Sequence, residues 1–152
     1  MPAMRELVKK SLRAIMEETY EDVKGYYLDK KTSLFETLEG IDAEAASRKR
    51  GNFPETIAAH VYHVRFYNDV LRRYMNGPKP EKVDWKESWT VTSVTPEEWK
   101  ALKDGLAEDY RKLLEDMDGD EDWEKEDFFD GVLGILAHTA YHVGAIRHLM
   151  DV

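Results

Sequence analysis

The sequence predicts an all-α fold, a four-helix bundle, on three observations. Four stretches repeat their apolar residues at intervals of three and four, the period of an amphipathic helix. No stretch alternates convincingly in the period of two that a half-buried strand requires. Gly, Pro and capping residues punctuate the chain between those stretches. At 152 residues the chain has the size of one domain. It can bury roughly two-thirds of its unfolded surface, so it needs no staple to fold.

The first helix is expected over 4–24. Leu7, Val8, Leu12, Ile15, Met16 and Tyr20 form its stripe, and Gly25 supplies a stop. A short helical stretch follows from Ser33 to Leu38, and Asp42 caps a turn or two through Ala46. Gly51, Asn52 and Pro54 break the chain. Pro54 fits the first turn of a second main helix over 53–76, where its missing N–H costs nothing. Ile57, Val61, Val64, Asn68, Leu71 and Met75 mark its stripe, which ends at Gly77-Pro78.

Residues 77–94 hold two prolines, Trp85 and Trp89, and no clear period. Thr95-Pro96-Glu97-Glu98 then reads as a capping box with proline at the first helical position. The third main helix runs over 95–117 with Trp99, Leu102, Leu106, Tyr110, Leu113 and Leu114 on one side. The acidic stretch from Glu115 to Asp127 is expected to be a solvated loop, and the last helix spans 127–150. At ~3.3 Å per extended residue, the long connection between the second and third helices can span ~60 Å. A helix of about 24 residues is only ~36 Å long. This crossover can therefore return along the whole bundle, so the two helices it joins can run parallel.

Composition narrows the function. Hydrophobic residues at 42% and charged residues at 35% describe a soluble globular chain. The absence of cysteine excludes a disulfide scaffold, a thiolate-ligated zinc or iron–sulfur site and a thiol nucleophile. With 31 acidic against 22 basic residues, the net charge of −9 repels phosphate backbones, so no nucleic-acid partner is expected. No apolar run approaches the ~20 residues of a membrane span, and Met1 to Lys10 lacks the apolar core of a signal peptide. The expected location is cytoplasmic, with no membrane partner.

All five histidines fall in two helices: His60 and His63 in the second, His138, His142 and His148 in the last. Side chains three or four apart share a helix face, ~5–6 Å apart at Cβ. His138 and His142 can therefore aim at one ion, and either His60 or His63 can join them from mid-helix on a neighbouring element. Gly134, one turn before His138, leaves room beside the rings. His148 lies about 80° off the His138 face at ~100° per residue and reads as surface. Asp130, Tyr67 and Tyr141 are candidate hydrogen-bonding partners for the imidazoles. Arg147 can hold an anionic substrate group or form an ion pair near the helix end. There is no Gly-rich phosphate loop, no G-x-S-x-G and no H-E-x-x-H. An EF-hand centred on Gly119 fails because its first ligand would be Leu114.

The run from Thr56 to Tyr67, TIAAHVYHVRFY, resembles the second-helix motif of the DinB/YfiT-like metalloenzymes. The run from Ala137 to Arg147, AHTAYHVGAIR, resembles that family's last-helix signature of H-x-x-x-H leading to Gly and Arg. The segments around Asp84-Trp85-Lys86 and from Val94 to Trp99 are in the same style, so the resemblance covers nearly the whole chain. It implies a four-helix bundle in which one histidine of the second helix and two of the last bind a divalent metal. His138 and His142 carry over directly. His63, followed by Val64, Phe66 and Tyr67, fits the second-helix pattern better than His60 does. The resemblance also implies a homodimer and, from some members, a transferase or isomerase reaction using a low-molecular-weight thiol.

The reading that follows is a metal-dependent enzyme with zinc or nickel on His63, His138 and His142, either a thiol-linked transferase or a hydrolase of a small molecule. Imidazole suits both metals. Binding needs neutral rings, so it is expected to weaken below pH ~6.5. The alternative is a metal- or small-ligand-binding bundle without turnover.

Overall fold

Side-chain caps set where most of the helices begin. The computed structural model describes residues 3–120 and 122–152. Its elements are α1 (Met4–Tyr20), α2 (Leu34–Glu39), α3 (Ala43–Ser47), α4 (Ile57–Asn76), α5 (Pro96–Asp118) and α6 (Glu126–Met150). Short 3-10 turns at Trp85–Trp89 and Asp122–Glu124 interrupt two connections. No strand occurs among the described residues. Ser33, Asp42, Thr56 and Thr95 each accept a hydrogen bond from the backbone N–H three residues on, which satisfies a donor the first turn leaves open. At Thr95 the capping box is complete: Thr95 N–H donates to Glu98 Oε1 at 3.0 Å, and Glu98 N–H donates to Thr95 Oγ1 at 3.1 Å.

Three boundaries differ from those expected, each for a physical reason. α1 stops at Tyr20 rather than near 24. The buried Glu18 carboxylate accepts from the backbone N–H groups of Lys24, Gly25, Tyr26, Tyr27 and Leu28 at 2.5–3.1 Å. That contact folds the chain back on the helix end, with Gly25 in the left-handed region at φ +94°. α4 begins at Ile57 rather than 53, because Thr56 takes the cap and Pro54 lies in the bend before it. Thr56 is held there by donating its hydroxyl to the Thr92 carbonyl at 2.8 Å. The acidic stretch is only partly loop. α5 continues through Asp118, and Trp123 is buried with its Nε1–H on the Met117 carbonyl at 2.9 Å.

Cross-helix pairs give the topology. Arg65 Nε donates to Asp109 Oδ2 at 2.7 Å and Arg72 Nε to Asp116 Oδ2 at 2.6 Å, both 44 residues apart. A constant offset means that α4 and α5 run parallel. His60 meets His142, and His63 meets His138, so α4 and α6 are antiparallel. Lys9 pairs with Asp120, Arg13 with Asp118 and Tyr20 with Tyr110, so α1 and α5 are antiparallel. Each of α1 and α4 packs on both α5 and α6, and the α4–α6 contact is the most extensive. Residues 77–95 therefore return along the bundle, and the Trp85–Trp89 turn lies on α4.

The core between these helices is apolar, with Met16, Ile57, Val64, Leu106, Ile135 and Ile146 buried. Each such side chain contributes roughly 1.5–3 kcal/mol by leaving water. One polar network crosses it. Asn68 Nδ2 donates to Tyr20 Oη at 2.8 Å, and Tyr20 Oη is bonded to Thr139 Oγ1 at 2.9 Å. This ties α1, α4 and α6 together beside the histidine level, because Asn68 follows Tyr67 and Thr139 follows His138. Burial pushes the Tyr20 hydroxyl up to about 12, so it stays a neutral partner.

Candidate metal centre

The i, i+3 spacing on α4 and the i, i+4 spacing on α6 place four imidazoles across the antiparallel α4–α6 seam. His63 Nε2 lies 3.0 Å from His138 Nε2, and His142 Nε2 lies 3.1 Å from the same atom. The three residues offer ligand atoms within 4.8 Å of one another. A tetrahedral ion bound at ~2.0–2.1 Å separates its nitrogens by about 3.3–3.4 Å. The observed separations fall a few tenths of an ångström short of that, so small ring movements would admit an ion. His60 points elsewhere: its Nδ1 lies 2.8 Å from His142 Nδ1. The structure thus brings His63, His138 and His142 to one point and places His60 behind His142.

Aromatic faces wall the cluster. Trp89 stacks on His63 with centroids 3.9 Å apart at 12°, and Tyr67 stacks on His138 at 3.7 Å and 14°. Gly134 makes room for that second pair. A Cβ there would stand 3.1 Å from Tyr67 Oη. Of the other expected partners, Tyr141 touches His142 edge-on but is 72% exposed, and Asp130 is exposed. The hydrogen-bonding partners present are Ser88, with Oγ 2.9 Å from His63 Nδ1, and His60. His138 Nδ1 is buried with no partner. His148 is exposed and lies with His60, Tyr141 and Glu55 around a surface cavity of about 210 Å³. Arg147 donates to Thr37 Oγ1 on α2 at 3.1 Å, which is neither the expected ion pair nor a contact with the cluster.

Electrostatics favour uncharged rings. Burial holds His138 down to about 4, with His63 adding to the effect. Burial and then the neighbouring His138, His60 and His63 hold His142 down to about 3. Burial, then His63, lowers His60 to about 4, and burial lowers His63. All four therefore keep lone pairs near neutral pH, the state in which imidazole binds metals. Three neutral ligands leave a divalent ion's charge uncompensated and a coordination position open, unlike a closed structural site with four protein ligands.

A family model described as the DinB superfamily matches residues 28–146. The chain belongs to the DinB superfamily. Searches of the curated proteins and of the solved structures return no match. The all-helical architecture agrees with that membership, and a DinB-superfamily chain with three converging imidazoles fits a metal-binding protein. Among the described residues, no helix is long and apolar enough to cross a membrane.

Sequence reasoning missed Ser88 and the stacking role of Trp89. Both lie in the aperiodic connection, where helical spacing gives no bearing. The one available signal was Asp84, which turns the chain by accepting from Lys86 N–H at 3.1 Å.

Proposed function

We propose that this DinB-superfamily protein is a divalent-metal-dependent enzyme that joins a low-molecular-weight thiol to a small electrophile, with zinc or nickel held by His63, His138 and His142. The observation that carries this reading is the donor set. It is three neutral imidazoles with no carboxylate among them, so the fourth partner of a divalent ion should be an anion. When bound, the ion supplies Lewis acidity and a positive charge that favours a thiolate over a thiol.

The chain's own residues do the rest. His63, His138 and His142 present Nε2 toward one point. Trp89 and Tyr67 cover ring faces and exclude water from them. Ser88 and His60 bond the far nitrogens of His63 and His142, which keeps those rings from turning. The resemblance to family members that use thiols supports the same class of reaction.

Metal analysis of the purified protein after loading with zinc or nickel should give one ion per chain. A screen of low-molecular-weight thiols with electrophiles should then show thiol consumption that depends on the ion. Hydrolysis without thiol consumption would assign a hydrolase instead. A loaded protein with no stoichiometric ion would remove the reading altogether.

A further inference from the structure

We propose that Ser88, on the connection between α4 and α5, is a positioning residue that presets the His63 tautomer, so that the connection is part of the metal site. The proposal rests on the three-histidine reading for its purpose, but its geometry stands by itself.

Ser88 is fully buried, and its Oγ has two neighbours: the Trp85 carbonyl at 2.6 Å and His63 Nδ1 at 2.9 Å. A hydroxyl carries one proton. Two oxygens 2.6 Å apart with no proton between them would set lone pair against lone pair, so the Ser88 hydroxyl donates to the Trp85 carbonyl. The Ser88 oxygen can then only accept, and His63 Nδ1 must carry the hydrogen that it receives. In a neutral ring this leaves Nε2 bare, and Nε2 is the atom facing the cluster.

The assignment propagates. His63 Nε2 has no proton, so its 3.0 Å contact with His138 Nε2 needs a proton on His138. His142 Nε2, 3.1 Å from that same donor, must then be bare as well. Its proton sits on Nδ1 and is donated to His60 Nδ1. Two of the three rings are thus held by outer partners with Nε2 ready for an ion. His138 is the exception. It must move its proton to Nδ1, which is buried with no acceptor. Preorganisation therefore falls on His63 and His142, and the His63 half of it depends on a side chain outside the four long helices.

The test is Ser88→Ala and Ser88→Thr, each read in two ways, with thermal melts confirming that both fold. Nitrogen-15 spectra of the metal-free protein report the His63 tautomer directly. Wild type and Ser88→Thr should show hydrogen on Nδ1, and Ser88→Ala should show a mixture or hydrogen on Nε2. Titration with zinc alone should be about 10- to 100-fold weaker for Ser88→Ala, the usual cost of losing a partner to a ligating histidine. Ser88→Thr should restore it to within about threefold. If Ser88→Thr fails to fold, the Ser88→Ala spectra decide alone. An unchanged tautomer in Ser88→Ala overturns the proposal, whether or not zinc affinity falls. Failure of the wild type to bind zinc would remove the metal reading, while the tautomer spectra still judge Ser88.

Discussion

His142 bonds at both ring nitrogens, to His138 through Nε2 and to His60 through Nδ1. On the proposed ligand set, replacing it with alanine removes one of three ligands, and zinc titration should show binding nearly abolished. On the same proposal His60→Ala removes a partner of His142 and not a ligand, and should cost about 10- to 100-fold. His148→Ala should change nothing measurable. Abolition by His60→Ala with retention in His63→Ala would reverse the ligand assignment on α4. The pH response follows from burial. Because the His138 and His142 rings are held down to about 4 and 3, protons should not compete for the folded site until well below the ~6.5 expected from sequence. Calorimetry at pH 7.5 and 5.5 should give a loss of zinc affinity well short of the about tenfold per ring that three rings titrating at ~6.5 would suffer. Metal-free stability should move differently. Between pH ~6.5 and ~4 the unfolded chain binds more protons than the folded one, so the melting temperature should fall as pH drops through that window. At this scale the i, i+4 pair on α6 was legible because helical spacing fixes it. Spacing alone did not choose between His60 and His63, since both share a face of α4; the family resemblance favoured His63.

Glu18 shows why helix ends were harder to read than helix interiors. The stripe of α1 continues no further than Tyr20, and Gly25 marked a break. The actual stop is a carboxylate reaching forward to five backbone donors, which no local pattern announces. Those bonds outweigh the cost of burial and hold the Glu18 carboxyl down to about 2. Glu18→Gln should destabilise the protein by about 2–3 kcal/mol in urea denaturation near neutral pH, because bonds to a charged acceptor are lost. The wild-type advantage should be present above pH ~4.5 and fade as pH falls toward ~2. Two helix glycines give a contrast. A Cβ at Gly131 would stand 2.2 Å from Met75 Cγ in the α4–α6 seam, so Gly131→Ala should cost about 1–3 kcal/mol by overpacking. A Cβ at Gly105 meets only the end of Arg65, 2.3 Å away. Arg65 can swing aside, and the helix gains ~1 kcal/mol of propensity against the ion pair lost. Gly105→Ala should therefore be nearly neutral. Equal effects at the two sites would contradict this account.

Four long periodic segments were enough to predict the bundle's class. Their relative directions were open, because chain length only permits a parallel pair; the constant offset of the Arg65–Asp109 and Arg72–Asp116 pairs shows one. Assembly is a further expectation. Tyr141, which meets His142 edge-on, is 72% exposed on α6. We expect a homodimer. Sedimentation at high concentration should show a species of twice the 17.7 kDa chain, and a monomer alone would remove the expectation. The path of the connection has a consequence for how such proteins diversify. One wall of the candidate centre, Trp89 with Ser88 behind His63, comes from the connection rather than from a long helix, and the same connection holds the α4 cap through the Thr92 carbonyl and packs Val94 on the core. Access to the three imidazoles and the seating of α4 are therefore tied to one segment, so a change in the connection that reshapes what reaches the rings is also felt by the fold.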